Sequence, residues 1–160
     1  MKPIPLNSDS PTATRRIGRR LARHLQPGDV ILLQGELGAG KTCLAQGIGE
    51  GLRVRESIKS SAFVLVNEYA GRLKLNLADL YRLCEPAEVA DLALEENAAD
   101  GVLVVEWPDR AWEELPREHL LVRLRWLDER SRELILEPHG ARYEELAETI
   151  ATGAAGRKRG

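Results

Sequence analysis

Gly35-Glu36-Leu37-Gly38-Ala39-Gly40-Lys41-Thr42 fits the pattern G-x-x-x-x-G-K-S/T at every fixed position. Before it stands Asp29-Val30-Ile31-Leu32-Leu33-Gln34, a short apolar run with a glycine on each side, which reads as a buried strand. After it Lys41–Leu52 reads as a helix, weakened by Gly47, Gly49 and Gly51. A strand, a glycine-rich turn and a helix in that order are the context in which this pattern signals phosphate binding. Glycines let the backbone curl until successive N–H groups point inward at phosphate oxygens, and the helix aims its positive end at the same place. Lys41 then sets a cation on the β- and γ-phosphates, and the Thr42 hydroxyl can hold Mg²⁺.

Such a site needs an acid beside the metal. Glu106 directly follows the apolar run Val102-Leu103-Val104-Val105, the place for a residue that contacts Mg²⁺ through water or orients an attacking water. An ordinary exposed glutamate at a strand end fits the same spacing. Asp79 closes the Leu73–Ala78 run and is the second candidate, and a turn-forming or capping aspartate fits there equally well. The guanine-reading element N/T-K-x-D is absent, which favours ATP over GTP.

Ser8–Pro11 reads as a capped helix start, with Ile17, Leu21 and Leu25 recurring every four residues and Ala22 on the same face. Gln26-Pro27-Gly28 ends that helix. Phe63–Tyr69 and Leu73–Leu80 read as strands of a hairpin around Gly71, Pro86–Glu96 as a helix, and Val102–Val105 as a second central strand. Leu120–Trp126 and Arg132–Glu137 alternate around an Asp128–Ser131 turn as a half-exposed antiparallel hairpin. Ala141–Ala151 reads as a closing helix, and residues 153–160 as a disordered basic tail after one domain spanning 1–152.

The 160-residue chain is 43% hydrophobic, 30% charged and only 4% aromatic, which suits one soluble α/β domain with a core of Leu, Val, Ile and Ala. A net charge of −2 argues against a surface built wholly to grip nucleic acid; the Arg15, Arg16, Arg19, Arg20 cluster and the Arg157–Arg159 tail read as a solvated helix face and a loose end. Cys43 and Cys84 form no metal-type pair. Without a secretory leader or a membrane-spanning run, a cytoplasmic chain with reduced thiols is expected.

Four elements in order, GELGAGKT at 35–42, KSSAFVLVNEY at 59–69, DLYRL at 79–83 and VVEWP at 104–108, resemble the TsaE (YjeE-type) family of small bacterial P-loop ATPases over roughly Asp29–Pro138. The resemblance implies a single P-loop NTPase-like α/β domain with a mixed parallel and antiparallel central sheet flanked by helices. It implies an ATPase that works with TsaB and TsaD in making threonylcarbamoyladenosine in tRNA, resetting that pair, with tRNA met only indirectly. Carried over by matching residues, it implies that Gly38, Ala39, Gly40, Lys41, Thr42 and Cys43 bind ATP phosphates, that Thr42 and Glu106 bind Mg²⁺, and that Asp79 lies near the metal or the water. Ser131 and Arg132 stand where a polar nucleotide contact is common in the family, and Trp107 where a residue shapes the site or a partner face. The chain departs from the family pattern at Ser60-Ser61-Ala62-Phe63, where S-P-T-F/Y is usual, at Leu77-Ala78 in place of His-Phe, and at Glu36 in place of Asp. Ala62 has no hydroxyl, which bears on catalytic rate more than on nucleotide binding.

The expected chemistry is hydrolysis of the ATP β–γ bond, with Lys41, Glu106 and Asp79 as its catalytic residues and either acid positioning the water. Arg82 is the in-chain candidate for an arginine finger, although a structural ion pair suits it as well; without a finger, activity alone would be slow. A small-molecule kinase is one rival, but no insertion is long enough for an Arg-rich lid and an acceptor pocket. A nucleotide-gated binding module with little turnover is the other, and Ala62 favours it.

Overall fold

The computed structural model describes residues 2–36, 38–58, 66–83 and 85–157, with side chains to residue 153. Its strands are β1 (Ile4–Ser8), β2 (Val30–Gln34), β3 (Val66–Tyr69), β4 (Lys74–Asp79), β5 (Gly101–Glu106), β6 (His119–Trp126) and β7 (Arg132–His139). Its helices are α1 (Pro11–Arg23), α2 (Lys41–Gly51), the short α3 (Glu88–Asp91) and α4 (Leu94–Asn97), and α5 (Ala141–Arg157).

The strands make one sheet in the order β1-β7-β6-β2-β5-β4-β3. Its centre is parallel: β5 pairs with β4 on one side and β2 on the other, and β2 pairs in turn with β6. The flanks are antiparallel, with β3 on β4, β7 on β6 and β1 on β7. The mixed sheet implied by the family resemblance is therefore present. β2 is apolar throughout because both of its faces are covered. Ile31 and Leu33 meet the layer of α1, α2 and α5, while Val30 and Leu32 meet the layer that includes α3 and α4.

α1 begins as expected. Ser10 is its N-cap, accepting from the Ala13 N–H at 3.0 Å, and Pro11 takes the first helical position. α5 is clamped to the start of β2: Arg142 reaches the buried Asp29 at 2.8 Å, and the Val30 N–H donates to the Tyr143 hydroxyl at 3.0 Å.

Four expectations change. β1, ahead of the expected helix start at Ser8–Pro11, is a strand that the sequence reading did not include. It holds Pro5, and it forms the sheet's edge, where a missing N–H is tolerated. The Pro86–Glu96 helix is broken into α3 and α4, with Ala93 left-handed between them at φ 48°. The break turns Val89 and Leu94 into the same apolar layer, and a short helix without strong caps has little of its own to resist it. The late hairpin is less exposed than its alternation suggests, because the first half of β6 lies against β2 and Leu120–Val122 are buried on both faces. α5 runs on to Arg157, past the end expected at Ala151, and residues 158–160 lie outside the described residues. Phe63–Leu65, Ala62 and Cys84 also lie outside them, as does Leu37.

The parallel register sets where the candidate acids stand. Leu33 and Asp79 both lie opposite Glu106, and Gln34 lies opposite Arg123. The carboxyl ends of four strands thus meet the glycine-rich loop at one edge of the sheet, where open α/β sheets form their ligand crevice.

Candidate functional site

The loop is shaped by its glycines. Gly38 and Gly40 have φ of 82° and 104°, a region that side chains strain to enter. Gly40 is also the N-cap of α2 and provides no side-chain cap, so the first N–H groups of α2 have no side-chain cap partner from it. At Gly35 a Cβ would stand 2.6 Å from the Leu124 carbonyl oxygen, so the loop can leave β2 only with glycine there.

The Lys41 side chain is only 6% exposed. Its ammonium donates to the carbonyls of Gly35 and Glu36, the latter at 2.8 Å, and sits 4.2 Å from the centre of the Trp107 ring. Burial pulls its pKa below the ordinary lysine value, opposed by the negative charges of Glu106, Asp109, Asp79 and Glu36. The cation is folded back onto its own loop, held by neutral groups that an incoming anion could replace.

Glu106 ends β5 and is 4% exposed. Burial, and then the charge of Asp79, push its carboxyl up to about 7, against the pull of Lys41. Asp79 accepts from the Tyr81 N–H at 3.0 Å, so it forms the turn after β4 as well as facing Glu106 in register. Trp107 adopts φ 60°, strained for a bulky residue, and its ring turns under the lysine and 4.9 Å from that of Tyr81.

The elevated carboxyl has a consequence for stability. Its folded pKa lies above the ordinary 4.5, so the folded state holds the proton more tightly than the unfolded one. The stability this gives is complete below about 4.5 and lost as pH rises through about 7, a difference of about 3 kcal/mol at most. We expect the urea midpoint of the metal-free protein to fall between pH 5 and 8, and Glu106→Gln to flatten that slope. Equal slopes in parent and variant would refute the assignment.

Thr42 follows Lys41 in the first turn of α2. With Glu106 and Asp79 it offers hard oxygen donors of the kind Mg²⁺ takes. Among the described residues no three or more His, Cys, Asp or Glu side chains are grouped to hold a metal. An Mg²⁺ ion held by these donors would draw its remaining ligands from phosphates and water.

Arg132 reaches the loop across the sheet. It donates to the Gly38 carbonyl at 3.1 Å, its guanidinium lies 4.1 Å from the Trp126 ring centre, and its Nε is buried without a hydrogen-bond partner among the described residues. Ser131 stays in the β6–β7 turn, where its N–H donates to Asp128 at 2.8 Å. The Cys43 thiol points toward α1, 3.6 Å from Arg15 and 3.7 Å from the Pro11 carbonyl. Arg82 is exposed in the turn after β4. The structure thus gathers Gly38, Ala39, Gly40, Lys41, Thr42, Asp79, Glu106 and Arg132 around one loop, with Ser131 and Cys43 at its margins.

Sequence reasoning missed a cleft of about 500 Å³ beside the loop, walled by Gln34, Glu36, Trp107, Asp109, Arg125 and Trp126. The one signal for it was a tryptophan ending an alternating strand, half exposed at 50%.

The family model for threonylcarbamoyl adenosine biosynthesis protein TsaE matches residues 8–134. The tRNA threonylcarbamoyladenosine biosynthesis protein TsaE of Bacillus subtilis is 36% identical over 153 residues, covering 94% of this chain and 96% of its own. The protein of that name from a Nostoc species is 41% identical over 143 residues, covering 86% and 87%. The crystal structure of Bacillus subtilis YdiB superposes with a TM-score of 0.76 at 34% identity, covering 95% of this chain and 96% of that one. With its sheet, its loop and these likenesses in agreement, the chain belongs to the TsaE family, whose proteins take part in tRNA threonylcarbamoyladenosine biosynthesis.

Proposed function

We propose that this chain binds ATP with Mg²⁺ at Gly35–Thr42 and hydrolyses the β–γ bond, as an accessory ATPase that works with TsaB and TsaD. The observation that carries the reading is Lys41, a buried ammonium held by two loop carbonyls and a ring, with Glu106 and Asp79 among the nearby acids. Gly38, Ala39, Gly40 and Cys43 present backbone N–H groups to the phosphates, and Lys41 trades its carbonyl partners for phosphate oxygens. Thr42 and Glu106 would hold Mg²⁺, which would supply charge stabilisation to the phosphate oxygens. Glu106, buried at the end of β5, would act on the attacking water through the ion or directly. Asp79, tied by one oxygen to Tyr81, is suited to orient that water. Arg132 supplies an in-chain cation beside the loop, and its buried Nε has a donor to spare.

On this reading the chain works in the cytoplasm and meets tRNA through its partners; no helix among the described residues is long and apolar enough to cross a membrane. The test is steady-state phosphate release by the full chain. Release should be slow alone, vanish with EDTA, and rise at least about tenfold when TsaB and TsaD complete the site. Ala62, which lacks the usual hydroxyl, favours a second reading, a nucleotide-gated module. ATP-dependent capture of TsaB and TsaD with no release under any condition would select it.

A further inference from the structure

Beyond the loop, the other end of α2 carries a different site. A cleft of about 330 Å³ opens between the C-terminal ends of α1 and α2 and the turn after β3, lined by Arg19, Arg23, Glu50, Gly51, Arg53 and Arg72. An α2 of 11 residues sets it about 16 Å from the glycine-rich loop. Four arginines against one glutamate give this cleft a formal charge of 4 − 1 = +3, on a chain whose net charge is −2. The negative ends of two helices, about half a charge each, still leave about +2.

Ordinary structural roles account for three of the arginines. Arg19 pairs with Glu50 at 2.7 Å, which also neutralises the cleft's one acid. Arg72 donates to the Ala22 carbonyl at 2.7 Å at the end of α1. Arg23 stands in the last turn of α1, where a cation is favoured. Arg53 has no such role. It is exposed, and it holds φ 62° at the position just past α2 where glycine normally stands. The bonds that end α2, Arg53 N–H to Glu50 at 3.0 Å and Val54 N–H to Gly49 at 2.9 Å, are backbone bonds that glycine would make with less strain. A charged residue strained into a glycine position, at the mouth of a positive cleft, points to the charge being used.

We propose that this cleft binds the phosphodiester backbone of RNA. Its four cations are all arginine, whose planar fork matches phosphate oxygens in pairs, and the family's process ends on a tRNA. The proposal does not rest on the ATPase reading, which brings RNA to the chain only through partners. The neighbouring Arg55 and Glu56 offset each other and leave the cleft's sign unchanged.

The test is binding of fluorescein-labelled bulk tRNA to the full chain, followed by anisotropy between 50 and 200 mM salt. The parent should bind with a log K against log salt slope of about −2 to −3. Arg53→Gly should weaken binding about eightfold at 0.1 M salt and shorten the slope by about one. It should keep ATP hydrolysis and a urea midpoint at or above the parent's, which separates lost contact from lost fold. Arg117→Gln, which removes the same charge from the loop before β6, should change binding less than twofold. Lys41→Ala should bind tRNA like the parent. The proposal is overturned if the parent binds no tRNA at 50 mM salt, if Arg53→Gly binds as tightly as the parent, or if Arg117→Gln loses as much as Arg53→Gly. Loss of binding in Lys41→Ala would put RNA at the loop and overturn it too. Displacement of tRNA by polyglutamate at equal charge concentration would instead assign the cleft to an acidic protein.

Discussion

Lys41→Ala is expected to lower ATP hydrolysis by about 10²–10³-fold, the size of effect seen when a preorganised donor to developing charge is removed. The variant should nevertheless fold. Truncation brings two opposing changes in the free protein. The carbonyls of Gly35 and Glu36 lose a donor, and Glu106 loses the one cation that holds its pKa down. Against this, the cost of burying an ammonium that is only 6% exposed disappears. The urea midpoint of the variant, measured beside its rate, separates a lost contact from a lost fold. Lys41→Arg should fail nearly as badly, because a broad planar guanidinium cannot take the place of a compact ammonium between two carbonyls and the Trp107 ring. The same ring gives an optical check. When Mg-ATP draws the ammonium away from it, Trp107 fluorescence should change in the parent and stay constant in Lys41→Ala. Phosphate release within a factor of two of the parent would remove Lys41 from the mechanism and take the proposed function with it.

How far the sequence carried the fold depended on how local each cause was. β2, the loop and α2 were legible because a buried strand, forced glycines and a helix start leave marks within a few residues. The position of Glu106 was legible for the same reason, at the end of a continuous apolar run that forms β5. The errors arose where distant packing decides. Ile4–Ser8 becomes a strand only because β7 presents an open edge to it. Val89 and Leu94 bend their segment because the sheet lies beneath both. Asp79 fits a turn former and a site acid alike by sequence; it accepts from the Tyr81 N–H and lies opposite Glu106, a register set by the pairing of β4 with β5. Arg132, which only the family resemblance pointed to, meets the loop from 94 residues away in the chain through the register of β6 and β7. The resting place of Lys41 could not be read at all, since it depends on the left-handed turn at Trp107.

The glycines of α2 show the same gap between local and distant causes, and they yield the sharpest stability contrast. By helix propensity alone, alanine at Gly47 or Gly49 should stabilise by about 1 kcal/mol. The structure separates these two positions. A Cβ at Gly47 would stand 2.2 Å from the Arg15 carbonyl oxygen and 2.8 Å from the Arg15 carbonyl carbon and Cα, so it meets the backbone of α1. From the other side, a Cβ at Gly18 would stand 2.5 Å from the Leu44 carbonyl oxygen. Glycines on both helices thus let two backbones touch, and neither can yield without moving a helix. A Cβ at Gly49 instead meets the Cδ1 tip of Ile58 at 2.1 Å, which a rotamer change can relieve. Overpacking against backbone costs about 3 kcal/mol, which leaves Gly47→Ala destabilised by about 2 kcal/mol after the propensity gain. That is a fall in Tm of about 4–8 °C for a chain of this size, whereas Gly49→Ala should lie within about 1 kcal/mol of the parent. Because α2 begins with Lys41 and Thr42, the shift forced at Gly47 should also weaken ATP binding, while Gly49→Ala should leave it intact. Calorimetry on the two variants decides the matter. Equal melting temperatures would mean that α1 and α2 are not in backbone contact, and the packing that fixes the loop's helix would have to be drawn again.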